Sequence, residues 1–351
     1  MRIGYSFWGF LGPGVTDTPD GGRSHRRVLV DALIAAGHEI VFLQPNRDLD
    51  EAGTDLTATY TWDAGLPPVD VLFLEWRWPI PGRNTTPCSA AGHTCDLHRQ
   101  QQLLDHYTRQ LATLTVLWDK DQQLPPGDPL RTLGHVTVCE PALHPSFGAV
   151  SLLFPVADDA INQADPAALA AEDRPLPLVY IGNQYDRDTA FTTYFAPAAA
   201  HVAHRVAGKW TDTGRWPHVN FTGRIPFTEV AATYRASVAT VLLAPDRYAR
   251  SGQFTQRLFE AVLAGCLPLA PASLRSADRV VPPELIIWDA SDLVATFTRL
   301  TRITASRTHA DLIAQCIERL DPFRLSRQIR TITAVLTGAP IPLPLLQGGS
   351  A

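Results

Sequence analysis

Short apolar runs alternate with amphipathic, helix-period stretches along the whole chain, which is the pattern of βα units and a parallel sheet. In the first half, strands are predicted at RIGYSFW, HEIVFLQ, VDVLFLEW (69–76), TVLWDKD (115–121), HVTVCEP (135–141) and AVSLLFPV (149–156). Between the first two, Arg23 to Ala36 has helical spacing, and Gly37 stands where a helix-terminating glycine belongs. A second helix is predicted from about Asp96 to Leu114. The polar, Ala/Pro-rich segment 157–177 interrupts the series and reads as a linker. A new series follows at LVYIGN (178–183), HRVAGKW (204–210), VNFTGR (219–224), VATVLLAP (238–245), CLPLAP (266–271) and ELIIWD (284–289). The expected organisation is an N-terminal Rossmann-like domain (1–156), the linker, a second Rossmann-like domain (178–320), and a C-terminal helix (322–336) with a Pro-rich tail within 321–351.

Composition agrees with this reading. The 351 residues are 45% hydrophobic and 19% charged, enough apolar material for two cores. Thirty Lys+Arg against 35 Asp+Glu give a formal charge of −5, so no global basic field advertises nucleic acid or an acidic membrane, although a local basic patch stays open. No run approaches the roughly 20 apolar residues of a membrane span, and MRIGYSFWGF lacks the charged start and long apolar stretch of a signal peptide. A soluble, cytoplasmic protein without a membrane span is expected. Five scattered cysteines argue against a disulfide framework. Cys88 and Cys95, with His93 and His98 nearby, form the single cluster with metal-ligand chemistry, but their spacing fits no familiar zinc pattern and no metal is expected there.

In open α/β sheets ligands bind beyond the carboxyl ends of strands, so candidate chemistry is sought in the loops that follow them. The first such loop, GFLGPGVTDTPDGGRSHRR, is rich in glycine and proline. Gly12 and Gly14 would let backbone approach a ligand, and the loop carries Asp17, Asp20, Arg23, Ser24 and His25 towards a helix start. Its spacing is not GxGxxG, which disfavours NAD. LWDKDQQ places Asp119 and Asp121 at a strand end, suited to sharing a cation or to orienting or deprotonating an acceptor hydroxyl, and equally to a solvated strand end. YIGNQYDRD presents Gly182 and Asn183 with Arg187, and TGRIPF presents Gly223 with Arg224; each pairs a small residue with a cation, a combination suited to a diphosphate. In LLAPDRYARSGQFTQRLFEAVLAGCLPLAP (242–271), a polar loop with Arg247, Tyr248 and Arg250 leads into a helix predicted from about Gln253 to Ala264. Arg257 and Glu260 share one face of that helix, and the amides near Ser251, Gly252 and Gln253, on to Thr255, would cradle a phosphate at its start. A salt-bridged amphipathic helix is the plainer alternative.

This last segment resembles the group 1 nucleotide-sugar glycosyltransferases of the GT-B fold, where a polar loop precedes a helix with the pattern seen in RLFEAVLAGCLPLA. The resemblance covers the second half, including YIGN and TGR, and in the first half only the Gly-rich loop and the strand order. It implies an α/β fold of two Rossmann-like, doubly wound domains facing a cleft, with donor in the second and acceptor mainly in the first. It implies hexosyltransferase-like activity with retention of configuration expected, a nucleotide-diphosphate sugar, a UDP-sugar first, as co-substrate, and a hydroxyl on a small molecule, glycan, protein or modified DNA base as acceptor. No metal cofactor would be required, because arginines and helix dipoles neutralise the leaving diphosphate. Glu260 would hold the donor ribose and Arg257 a phosphate. The sequence departs from the retaining members at Gly252, where many carry a second glutamate. His25, Asp17, Asp20, Asp119 and Asp121 are the residues expected to grip or activate the acceptor, with Arg23, Trp76 and Arg77 beside them. The chain also looks like bacteriophage DNA α-glucosyltransferases. That reading needs Arg23, Arg26, Arg27, Arg77 and Arg83 to form a positive rim, with Trp76 and Trp78 available to stack a base. A metal-dependent GT-A enzyme, a nucleotide-sugar epimerase and a non-catalytic sugar-nucleotide binding protein are the remaining alternatives.

Overall fold

The computed structural model of the chain describes residues 1–15, 21–81, 84–90 and 95–341. The chain forms two compact units. One comprises Met1–Gly14, Gly22–Leu153 and the described residues from Arg327 to Ile341; the body of the other is Phe154–Ser326. No helix among the described residues is long and apolar enough to cross a membrane.

The first unit is built on a seven-stranded parallel sheet: β1 (Arg2–Ser6), β2 (Glu39–Phe42), β3 (Thr61–Trp62), β4 (Val71–Glu75), β5 (Leu114–Trp118), β6 (Val136–Glu140) and β7 (Val150–Ser151), in the order β3-β2-β1-β4-β5-β6-β7. The run VLFLE of β4 is buried at every position, as a central parallel strand covered on both faces must be. The predicted helix after β1 runs from Arg26 to Ala35, preceded by a 3-10 turn at Gly21–Ser24, and Gly37 closes it with φ +87°. The helix predicted from Asp96 is α-helical only to Leu103 and continues as a π-helical stretch, Leu104–Gln110. The helix Leu325–Thr337 supplies Gln328, whose Oε1 accepts the Leu153 amide at 2.9 Å.

The second unit repeats the topology with six parallel strands: β8 (Leu176–Ile181), β9 (His204–Ala207), β10 (Phe221–Gly223), β11 (Ser237–Val241), β12 (Leu267–Pro271) and β13 (Ile286–Ile287), in the order β10-β9-β8-β11-β12-β13. Residues 157–177 contain two short helices, Asp158–Asn162 and Pro166–Ala171. Asp165 caps the second by accepting the amides of Ala167 and Ala168. The helix expected from Gln253 to Ala264 spans only Arg257–Leu263, and the polar loop expected before it holds a short helix of its own, Asp246–Ser251, which ends at Gly252 with φ +64°. In each sheet the strand order reverses at one place, between β1 and β4 and between β8 and β11. The loops leaving those strands are where a doubly wound fold binds ligands.

Candidate functional site

In the second unit the site grows from three glycines at adjacent strand ends. The Gly182 amide donates to Ala207 O and the Gly208 amide to Gly223 O, both at 2.8 Å, so the backbones stay in contact past β8, β9 and β10. Gly208 has φ +142°, and a Cβ there would lie 2.1 Å from Gly182 O. A Cβ on Gly182 would lie 2.6 Å from both Nε and Nη2 of Arg257. The bare backbone therefore lets Arg257 lie flat against the end of β8. Its Nε donates to Ile181 O at 2.6 Å and its Nη1 to Thr255 Oγ1 at 3.1 Å, while Nη2 makes no hydrogen bond among the described residues. Burial alone would lower the Arg257 pKa; Tyr180, Tyr234, Glu260 and Tyr248 around it overcome that and raise it. Glu260, one turn along the helix, is half-buried.

The loops after β8 and β9 are laced together. Asn183 Oδ1 accepts the Lys209 amide at 2.8 Å, Gln184 Oε1 accepts the Thr211 amide at 3.0 Å, and Trp210 Nε1 donates to Gly182 O at 2.8 Å. Arg187 is buried and donates to Tyr185 O at 2.6 Å, so it holds its own loop. Arg247 pairs with Asp186 at 2.7 Å and lies over the rings of Tyr185 and Tyr248. Ser251 ends one helix, and the Gln253 amide donates to Tyr248 O. The amides that precede the next helix are thus those of Phe254 to Arg257, later in the chain than expected. Arg224 is half-buried beyond Gly223.

These glycines give a graded stability test. Gly208→Ala combines a positive φ with a backbone clash and is expected to cost about 3 kcal/mol or more. Gly223→Ala meets open space at φ +75° and is expected to cost about 1–2 kcal/mol. Urea denaturation of the two variants checks this; equal losses would contradict the close approach of Gly208 to Gly182.

In the first unit the centre is Glu75, at the carboxyl end of β4 and buried. Its carboxylate accepts Arg26 Nε and Nη2, both at 2.8 Å, Tyr5 Oη at 2.9 Å, and Lys120 Nζ. Burial would raise the Glu75 pKa, but Arg26 first and Lys120 next hold it well below the usual carboxylate range. Arg26 also donates to Trp8 O and Phe10 O and lies 4.3 Å from the centroid of the Phe7 ring, tying the Gly-rich loop to β4. On the loop's other side Asp48 accepts the amides of Leu11 and Gly12, and Gly14, at φ +64°, packs on the Phe10 ring. Arg23 donates to Pro13 O. His25 is buried edge-on to Trp118, with ring centroids 5.3 Å apart.

Sequence reasoning missed Glu75, Lys120 and Asp48 and placed Arg26 wrongly. Arg26 and Arg77 are buried, and Arg23 nearly so, with Arg77 donating to Ser6 Oγ and Phe7 O. Burial pushes the Arg77 guanidinium down to about 10, against Asp96 and Glu75, which raise it. Arg27 is the one exposed member of the expected rim among the described residues, and it is paired with Asp31; Arg83 lies outside them. Among the described residues the basic rim is therefore not formed. Asp17, Asp20 and His93 also lie outside the described residues. Trp62, Trp76 and Trp78 are half-buried.

Asp119 is fully buried, and its carboxylate accepts the amides of Gln123 at 3.0 Å and Leu124 at 2.7 Å, so it caps its own loop, whereas Asp121 is half-buried. Burial pushes the Asp119 pKa up to about 6 despite those amides, with Asp121 and Glu140 adding to the rise. A raised carboxyl pKa means the folded state binds the proton more tightly. The associated stability is complete below the ordinary value of 3.8 and is lost as pH rises through about 6. Asp119→Asn is expected to flatten that loss, seen as a variant-minus-wild-type difference in urea midpoint that grows across this window. A constant difference would contradict it.

With both sites described, the chain can be set beside known proteins. Residues 190–329 match the family model described as glycosyl transferase-like. A comparison with curated proteins gives no match. The two parallel sheets match GT-B glycosyltransferase structures. One is the DNA-modifying enzyme β-glucosyltransferase, studied with and without uridine diphosphoglucose, at 11% identity over 96% of this chain and 100% of that one, with a TM-score of 0.63. The T4 phage enzyme in complex with UDP and Mn²⁺ matches at 12% identity over 96% and 99%, TM-score 0.63. HepE of Anabaena in complex with UDP-glucose matches at 10% identity over 96% and 100%, TM-score 0.58. At such identities the likeness is one of fold.

Proposed function

We propose that the protein is a glycosyltransferase that moves a sugar from a nucleotide-diphosphate sugar, a UDP-sugar first, to a hydroxyl acceptor. The observation that carries this reading is Arg257, laid against Gly182 at the reversal point of the second sheet with Nη2 free of hydrogen bonds among the described residues. On this reading the base lies near the 182–187 loop and both ribose hydroxyls donate to Glu260. The diphosphate takes Arg257, Arg224 and the amides of 254–257. Breaking the bond between the anomeric carbon and the diphosphate oxygen builds charge on the leaving group, which fixed cations stabilise more than they stabilise the intact donor. This arrangement supports transfer without a metal.

The first unit is assigned the acceptor, with His25, Asp121 and Trp76, and with Asp17 and Asp20 kept from the sequence. Glu75 is occupied by Arg26 and Lys120, and Asp119 by two amides. That supports retention of configuration, in which the leaving diphosphate itself takes the acceptor proton and no protein base is needed. A product of inverted configuration would overturn this and make Asp121 the base to test. A glycan or small-molecule hydroxyl ranks ahead of a hydroxymethylated DNA base, because the arginine rim for DNA is not formed. The five free cysteines support a cytoplasmic location.

Thermal stabilisation by UDP, GDP, dTDP, ADP and CMP, with and without Mn²⁺, tests the donor site. A shift with UDP that needs no Mn²⁺ and is absent in Glu260→Ala is the expected result. No shift with any nucleotide, or one wholly dependent on Mn²⁺, would overturn the site.

A further inference from the structure

We propose that Cys88, Cys95 and His98 form a zinc site that fastens the loop after β4 to the helix Asp96–Leu103, independently of the transferase reading. One thiol sulfur from each cysteine and one imidazole nitrogen lie within 4.8 Å of one another. The Cys88 Sγ is 2.8 Å from His98 Nδ1. Tetrahedral zinc with Zn–S near 2.3 Å and Zn–N near 2.0 Å sets its donors roughly 3.5–3.8 Å apart. The separations present, 2.8 Å for the Cys88–His98 pair and no more than 4.8 Å for any pair, bracket that spacing. Cys95 and His98 are three residues apart at a helix start and so lie on one face, while Cys88 reaches them from the far end of the loop. Cys95 holds a left-handed backbone, φ 52°, a conformation that asks for an explanation in a non-glycine residue.

The donor chemistry selects the ion. Two thiolates and an imidazole suit zinc and are poor ligands for Mn²⁺ or Mg²⁺, which prefer oxygen. Two thiolates also balance the charge of a divalent ion. Cys88 and His98 are exposed, so the ion can enter, and with three protein ligands the fourth position falls to water. Such a site would brace the segment that carries Trp76, Arg77 and Trp78.

The test uses the full-length protein purified under reductant and supplied with Zn²⁺, then desalted. Wild type should retain about one zinc per chain, and Cys88→Ser and His98→Ala should each retain at least about tenfold less. Co²⁺ should give sulfur-to-metal charge-transfer absorption in wild type and lose it in Cys88→Ser; the buried Cys139, Cys266 and Cys316 leave no other accessible thiols to mimic it. Zn²⁺ but not Mn²⁺ should raise the thermal midpoint of wild type, a readout that stands even where a variant folds poorly. Zinc retention no greater in wild type than in Cys88→Ser, unchanged retention in His98→Ala, or a Cys88–Cys95 disulfide in the reduced preparation would each overturn the site.

Discussion

Arg257→Ala is expected to lower kcat/KM for transfer at least tenfold while leaving the fold intact. Removing a single fixed donor from a site of developing negative charge costs about 10²–10³ in rate in well-studied cases, so tenfold is a low bound. Most of the loss should fall on kcat, because the charge on the leaving diphosphate exists fully only after the glycosidic bond has begun to break. Arg257→Lys should recover part of the loss. It keeps a cation but cannot both donate to Ile181 O through a side nitrogen and present a second nitrogen to the ligand. Far-UV circular dichroism and the thermal midpoint separate a failed site from a failed fold, since Arg257 also lies 5.6 Å from the Tyr180 ring centroid and holds Thr255. Activity within about twofold of wild type in Arg257→Ala would remove this residue from the donor site.

The parts of the structure that local pattern controls were legible in the sequence. The β4 run is apolar because both its faces are covered, and Gly37 ends its helix because the turn needs a positive φ. Arg257 and Glu260 could be singled out because they stand three apart on one helix face, off the side that buries Leu258, Phe259, Ala261 and Val262. The two-residue edge strand β3 had no apolar run to announce it, and the break at Gly252 needed a glycine to be read as a helix end within a continuous polar stretch. The buried charge network of the first unit was not legible because a charge shows its sign in sequence but not its partner. Glu75 and Arg26 are 49 residues apart, and only the fold joins them. A signal did exist. Arg26 shares helical periodicity with Leu29, Val30 and Leu33, so it sits on the apolar face, where an arginine must find a buried acid.

Glu75→Gln is expected to destabilise the protein by about 3–5 kcal/mol, because it leaves Arg26 and Lys120 facing a neutral amide in a buried site. The pH dependence fixes the sign. The folded-state pKa of Glu75 lies well below its ordinary value of 4.5, so its stabilisation is complete above 4.5 and is lost as pH falls towards the folded value. The gap between wild type and Glu75→Gln in urea denaturation should therefore be widest near neutrality and should narrow in acid. A hydrophobic replacement of all three charged groups, Glu75→Leu with Arg26→Met and Lys120→Met, should recover much of the loss, since the penalty comes from stranding a charge and not from lacking the network. That triple variant also separates stability from function. It still lacks the guanidinium bonds to Trp8 O and Phe10 O, so amide exchange in residues 7–14 should quicken although the fold is restored. If exchange there stays slow, the remaining contacts suffice to hold the Gly-rich loop: Asp48 and Gln44 accept the amides of Leu11, Gly12 and Phe7, and Arg77 and Arg23 donate to Phe7 O and Pro13 O. The Glu75 network would then serve the sheet and not the loop.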